Sequence, residues 1–196
     1  MSFITATIGA TQDRDGFLAA WNNVTKPKAM EAGCIDTSVS QFVMGGEMAG
    51  LMGVSMEWES VDAALEGSEA IMSDPGVREA LGSTGTTVVR RSIMENIAEN
   101  GVREGKYLSC TYVAGNVTDE AQEIGWKHYQ SGANGFMTCR LVAGGMAAWS
   151  GAVFAWTDSV DAMNNSRAAI MADPAMQEFM AKNDFQPIGR VFMRVL

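Results

Sequence analysis

The sequence predicts an α+β protein made of two tandem β-α-β-β-α-β units whose open sheet faces cover one another. Three observations carry this expectation. The first is an internal repeat. Ser60-Val61-Asp62-Ala63 returns as Ser159-Val160-Asp161-Ala162, Ala70-Ile71-Met72 as Ala169-Ile170-Met171, and Asp74-Pro75 as Asp173-Pro174, all at a shift of 99. Residues 60–81 and 159–180 share ten identities in 22 positions, where chance gives on the order of one or two. The second is that strand-type and helix-type periodicity follow in the same order in both halves. The third is that a four-stranded sheet with helices on one face needs cover on the other, and a second copy in the same chain can supply it. Of the 196 residues, 47 % are hydrophobic, enough for a sizeable core and incompatible with global disorder.

In the first half, Phe3–Ile8 is a short β-branched run. A helix follows from about Asp13 through Trp21, with Thr11 or Asp13 as N-cap. Val39–Met44 and Leu51–Trp58 read as strands around the turn glycines Gly45-Gly46. Ser60 is a natural N-cap for a second helix with Asp62 in its first turn. Asp74-Pro75 then restarts a short helix, a cap followed by proline at the first helical position. Thr86–Met94 closes the unit as a strand. The second half repeats the order: Tyr107–Val113, a helix over Thr118–Tyr129, strands Phe136–Val142 and Ala148–Trp156, helices from Ser159 and Asp173, and strand Ile188–Leu196. The repeats therefore occupy residues 1–98 and 106–196, joined by a polar, glycine-bearing linker at 99–105. Each has the ferredoxin-like order. The first carries several extra residues near Thr25–Ala32. The face awaiting cover is expected to hold Phe3, Thr5, Tyr107 and alternate methionines.

Charge and cysteine arithmetic excludes several functions. Fourteen bases against 23 acids give −9, so the basic stripe of a nucleic-acid binder is missing. Residues 1–105 carry −8 and residues 106–196 only −1; the near-neutral second half and the low charge content (19 %) point to a homo-oligomer. Cys34, Cys110 and Cys139 are odd in number and widely spaced, which fits neither a disulfide framework nor a zinc site. Reduced, buried thiols, the lack of a basic or apolar leader and an uncharged stretch (Leu141–Thr157) broken by glycines together suggest a cytoplasmic protein without a membrane partner.

The two-fold element order, at about 95 residues per unit, and Trp58-Glu59-Ser60 at the end of a third strand resemble the dimeric α+β barrel superfamily, with its antibiotic-biosynthesis monooxygenases, haem-degrading oxygenases and NIPSNAP-like groups. The resemblance implies that the two sheets close one eight-stranded barrel with the helices outside, here within a single chain. The second half departs by one inserted residue, Trp156-Thr157-Asp158-Ser159. By resemblance, Trp58 and Trp156 border a cavity between sheet and helices. The haem-degrading branch also uses an asparagine on the first strand and a histidine after the tryptophan. Neither is found at those places, so no cofactor is expected and haem is disfavoured.

His128, the single histidine, is the candidate catalytic base, against the reading of a histidine packed under its helix. Trp126, two residues away, and Trp156 complete a candidate ligand site in the second half, with Trp58 its counterpart in the first, against the commoner fate of a tryptophan, core packing. No metal site is expected. Met44, Met48, Met52 and Met56 recur every fourth residue, as for one face of a hairpin or as core filling. Arg90-Arg91 and Arg190 suit an anion clamp, although a strand-edge salt bridge is their commoner fate. Two functions remain: a metal-free oxygenase-like or isomerase-like enzyme acting on a small apolar or aromatic molecule, or a non-catalytic ligand-binding or assembly barrel. An enzyme requires at least two polar side chains together deep in one pocket; a binder requires only an apolar cavity.

Overall fold

The computed structural model describes all 196 residues. Its strands are β1 (Ser2–Ala10), β2 (Asp36–Met44), β3 (Met52–Trp58), β4 (Thr87–Gly101), β5 (Tyr107–Ala114), β6 (Gly135–Ala143), β7 (Gly151–Thr157) and β8 (Gln186–Val195). They close an antiparallel barrel in the order β1-β3-β2-β8-β5-β7-β6-β4. Each half supplies a ferredoxin-like sheet, and the β2–β8 and β4–β6 ladders seal the two seams. Closure leaves no sheet edge in need of protection. The barrel is thus intramolecular, as the repeat implies. No helix is long and apolar enough to cross a membrane.

The residues that carry the repeat are helix start signals. The Ser60 hydroxyl accepts from the Ala63 N–H at the head of α3 (Val61–Ser73), and Ser159 accepts from Ala162 at the head of α6 (Val160–Ala172). Asp74 and Asp173 cap α4 (Pro75–Ser83) and α7 (Pro174–Asn183), each with proline just inside. Asp13, of the two candidates, caps α1 (Arg14–Ala20) through the Gly16 N–H. The extra residues of the first half are helical: α1 runs through a π-helical stretch, Trp21–Thr25, into α2 (Lys26–Glu31). In the second half one helix, α5 (Glu120–Tyr129), fills this place.

Three cores result. One fills the barrel and draws on both halves, with Ile4, Ile8, Leu108, Cys110, Trp156 and Met193 among its members. The others lie between each sheet and its own helices, around Trp58 in the first half and around Phe136 and Phe179 in the second. Several expectations need correction here. Thr5 and Phe3 face the helices of the first half, and it is Ile4, Ala6 and Ile8 that point into the barrel. Strand β4 extends to Gly101, so the first residues of the expected linker are strand. The methionine series does not share a face: Met52 and Met56 pack under the helices, Met48 leans on the barrel core, and Met44 is exposed. Residues 45–51 form a loop with a 3₁₀ turn, which interrupts the periodicity.

Candidate functional site

The sequence-derived site residues do not converge. Trp58 is wholly buried against α3, where a Cβ on Gly67 would lie 2.2 Å from its ring. Its indole N–H donates to the Thr5 hydroxyl at 3.1 Å. Trp156, by contrast, points into the barrel. The inserted residue is the cause: Thr157 pairs with Tyr107 as Trp58 pairs with Phe3, leaving Trp156 opposite Leu108. Side chains alternate along a strand, so a shift of one position moves a residue to the other face. Thr157, in the place of Trp58, donates to the Gly132 carbonyl at 2.8 Å and accepts from the Ser159 N–H. Trp126 packs against the helical core of the second half.

His128 sits in the last turn of α5 with its Nε2 2.7 Å from Asp173 Oδ2. Asp173 has its pKa lowered, first by this hydrogen bond and then by the Ala175 N–H that it caps. The pair ties α5 to the corner between α6 and α7. Trp126 and His128 therefore belong to the helical layer and Trp156 to the barrel, on opposite sides of the second sheet.

A different group of polar residues meets inside the barrel, around a cavity of about 230 Å³. Arg90 from β4 and Tyr112 from β5 face each other across it, and the Arg90 Nη2 donates to the Tyr112 hydroxyl at 2.5 Å. The guanidinium lies 5.1 Å from the Tyr112 ring centroid and 5.5 Å from that of Trp149, which descends from the β6–β7 loop. Arg90 enters none of the ion pairs of the chain. Its Nε is buried with no hydrogen-bond partner. An orphaned buried donor costs about 1–3 kcal/mol, so this one calls for a partner. Burial pushes the Cys110 thiol up to about 12, against the pull of Arg90 and Tyr112. Burial raises the Tyr112 phenol as well, so it keeps its proton.

The rest of the lining mixes apolar side chains with Thr7, Asp36, Thr37 and Ser92 and with a serine stripe. Ser40, Ser38 and Ser55 line β2 and β3, with Ser38 and Ser55 hydrogen bonded at 2.7 Å. The far end is closed by Arg103, 2.6 Å from both Glu57 and Glu99. Burial pushes the Glu57 carboxyl up, but hydrogen bonds from Arg103 and Ser2 outweigh it and hold the pKa below its ordinary value. The sequence singled out the Arg90-Arg91 doublet but left its role open, and Tyr112 and Trp149 were not singled out. The signal available was alternation on β5, which puts Leu108, Cys110 and Tyr112 on one face.

No protein-family model and no curated protein matches the chain. Solved structures do match. An anthrone oxidase-like protein is 13 % identical, with all of this chain and 91 % of that one covered, at a TM-score of 0.59. Chlorite dismutase from Candidatus Nitrospira defluvii is 11 % identical, with 100 % and 91 % covered and a TM-score of 0.62. A monooxygenase-like protein of Fusobacterium nucleatum is 6 % identical, with 100 % and 92 % covered and a TM-score of 0.58. At these identities the likeness is one of fold alone, a closed eight-stranded barrel with helices outside.

One expectation is overturned by these likenesses. Chlorite dismutases are haem-dependent, so the missing asparagine and histidine of one oxygenase branch do not make haem disfavoured for this fold. Within this chain the single histidine, His128, has its Nε2 committed to the Asp173 carboxylate. The adjoining helix–sheet layer is filled by Tyr129, Phe136, Met163 and Phe179, and a macrocycle there would have to displace them. His128 does not line the barrel cavity, so the chemistry of that cavity rests on other residues.

Proposed function

We propose that the barrel cavity binds a small aromatic molecule through an acidic oxygen, and that the chain acts on this molecule as an oxidase-like or oxygenase-like enzyme. The observation that carries the reading is Arg90, a cation in the barrel cavity that pairs with no carboxylate, the nearby Glu57 being held by Arg103, and whose Nε is unpartnered. Its partner Tyr112 meets the requirement for two polar side chains deep in one pocket. In a site of low dielectric, donors fixed in advance stabilise developing negative charge far better than water does. Arg90 would hold the phenolate or enolate form of the substrate, with the Tyr112 O–H as a second donor. Trp149, Phe154 and Trp156 would orient the rings and exclude water. The oxyanion is the electron-rich form from which electrons pass most readily to an oxidant. The oxidase-like and monooxygenase-like neighbours support this class of chemistry. The cavity is smaller than the roughly 300–1,000 Å³ of a drug-sized site, which favours one or two fused rings.

Quenching of tryptophan fluorescence by 1-naphthol, 1-naphthoate and naphthalene tests the binding, and oxygen uptake tests turnover. The oxygenated ligands are expected to bind at least tenfold more tightly than naphthalene. Arg90→Gln should abolish that preference, because a charged hydrogen bond contributes about 1.5–3 kcal/mol. Equal affinity for all three ligands in both proteins would refute the role of Arg90. Binding without oxygen uptake would identify the barrel as a ligand-holding protein.

A further inference from the structure

Outside the barrel, a second cationic cluster also lacks a counter-ion. Arg190 on β8 points away from the cavity, beneath α6. Its Nε donates to Ser109 Oγ and its Nη1 to Asn164 Oδ1, each at 2.7 Å. The guanidinium lies 4.6 Å from the Phe192 ring centroid. Its Nη2 is buried and has no partner. Asn164 and Arg167 are three residues apart on α6 and so share a face, which sets a second guanidinium beside the first. Neither arginine enters an ion pair. The Tyr129 phenol lies within electrostatic reach of both arginines. No carboxylate acts on Arg190; burial and the like charge of Arg167 both disfavour its charged form, and Tyr129 alone opposes them.

In a chain of net charge −9, two adjoining arginines without an acid are conspicuous. A buried N–H donor and an uncompensated cation both lose free energy until an acceptor arrives. We propose that Arg190, Arg167 and Tyr129 form a binding site for a compact oxyanion, a phosphate or a small carboxylate, between α6 and β8 of the second half. The site belongs to that half alone, since Ser68 stands in the first half where Arg167 stands in the second, although Arg91 matches Arg190. It is separate from the barrel cavity, which neither arginine lines, and does not depend on the reading of that cavity.

Thermal unfolding at constant ionic strength, with sodium phosphate, acetate or chloride as the varied salt, tests this. Phosphate or acetate should raise the midpoint saturably, by about 3 °C once it exceeds its Kd tenfold. Whichever of the two acts identifies the anion as phosphate or carboxylate. Arg190→Gln and Arg167→Gln should each lose the shift, whereas Arg90→Met should keep it. A shift equal to that with chloride, or one that survives in both Arg190→Gln and Arg167→Gln, would overturn the site. Loss of the shift in Arg90→Met would place the anion in the barrel instead.

Discussion

Replacing Gly67 by alanine separates a packing role for Trp58 from a ligand-binding one. In an ordinary helix interior this change stabilises by roughly 0.5–1 kcal/mol. Here the new Cβ would stand 2.2 Å from Cζ3 and 2.4 Å from Cη2 of Trp58. The indole has nowhere to retreat, being fully buried and anchored to Thr5 through its N–H. Overpacking of this kind costs about 1–3 kcal/mol, and the absence of slack puts the cost at the upper end. The net expectation is a loss of about 2 kcal/mol. For a chain of this size that lowers the thermal midpoint by about 4–8 °C. Urea unfolding followed by circular dichroism gives the free energy, with an unchanged m-value as the control for two-state behaviour. Gly82, which has open space where its Cβ would be, should show no loss on the same substitution. In the Trp58→Phe background the atoms that clash are gone, so a double-mutant cycle should return most of the Gly67→Ala cost. Gly67→Ala as stable as the parent protein, or no coupling to Trp58→Phe, would show that Trp58 has room beside it, as a pocket residue would.

Two further outcomes are expected. Asp173 has a lowered pKa through His128 and the Ala175 N–H; its contribution to stability is complete above the ordinary aspartate pKa and is lost as pH falls below it toward the folded value. Asp173→Asn keeps a competent N-cap, so its midpoint should fall less than that of the parent protein below about pH 3.8, and a constant gap across that range would sink the linkage. Light scattering at micromolar concentration should give a mass above 21.0 kDa, because exposed Met44, Val89, Val142 and Ile188 stand on strand ends at the Arg90 end of the barrel; a monomer mass throughout dilution would refute self-association.

The fold was legible because its start signals are short-range. Ser60, Asp74-Pro75 and their copies act on backbone groups within three residues of themselves, so identity at those positions fixes helix starts whatever lies beyond. The extents of β4 and of the β6–β7 loop were less legible, since they depend on partner strands far away in the sequence. Composition does not distinguish a residue that ends a strand from one that continues it against a neighbour, as β4 does against β6 out to Gly101.

The site was legible only where it did not depend on strand parity. Aligning Trp58 with Trp156 matched residue type at a shift of 98, while the stretch from Ser60 and Ser159 onward keeps 99, and a strand converts that single step into the opposite face of the sheet. The better-founded match is Trp58 with Thr157, and it sends Trp156 into the barrel beside Phe154, their ring centroids 6.2 Å apart. The same parity argument, started from Ile4 in place of Phe3, would have put Arg90 inside as well, because Ile8 and Arg90 are direct partners across β1 and β4. The carboxylate of Glu57 lines the same cavity but is already paired with Arg103, so Arg90 is left without an acid. In this chain it found a phenol and an indole, and kept one donor free.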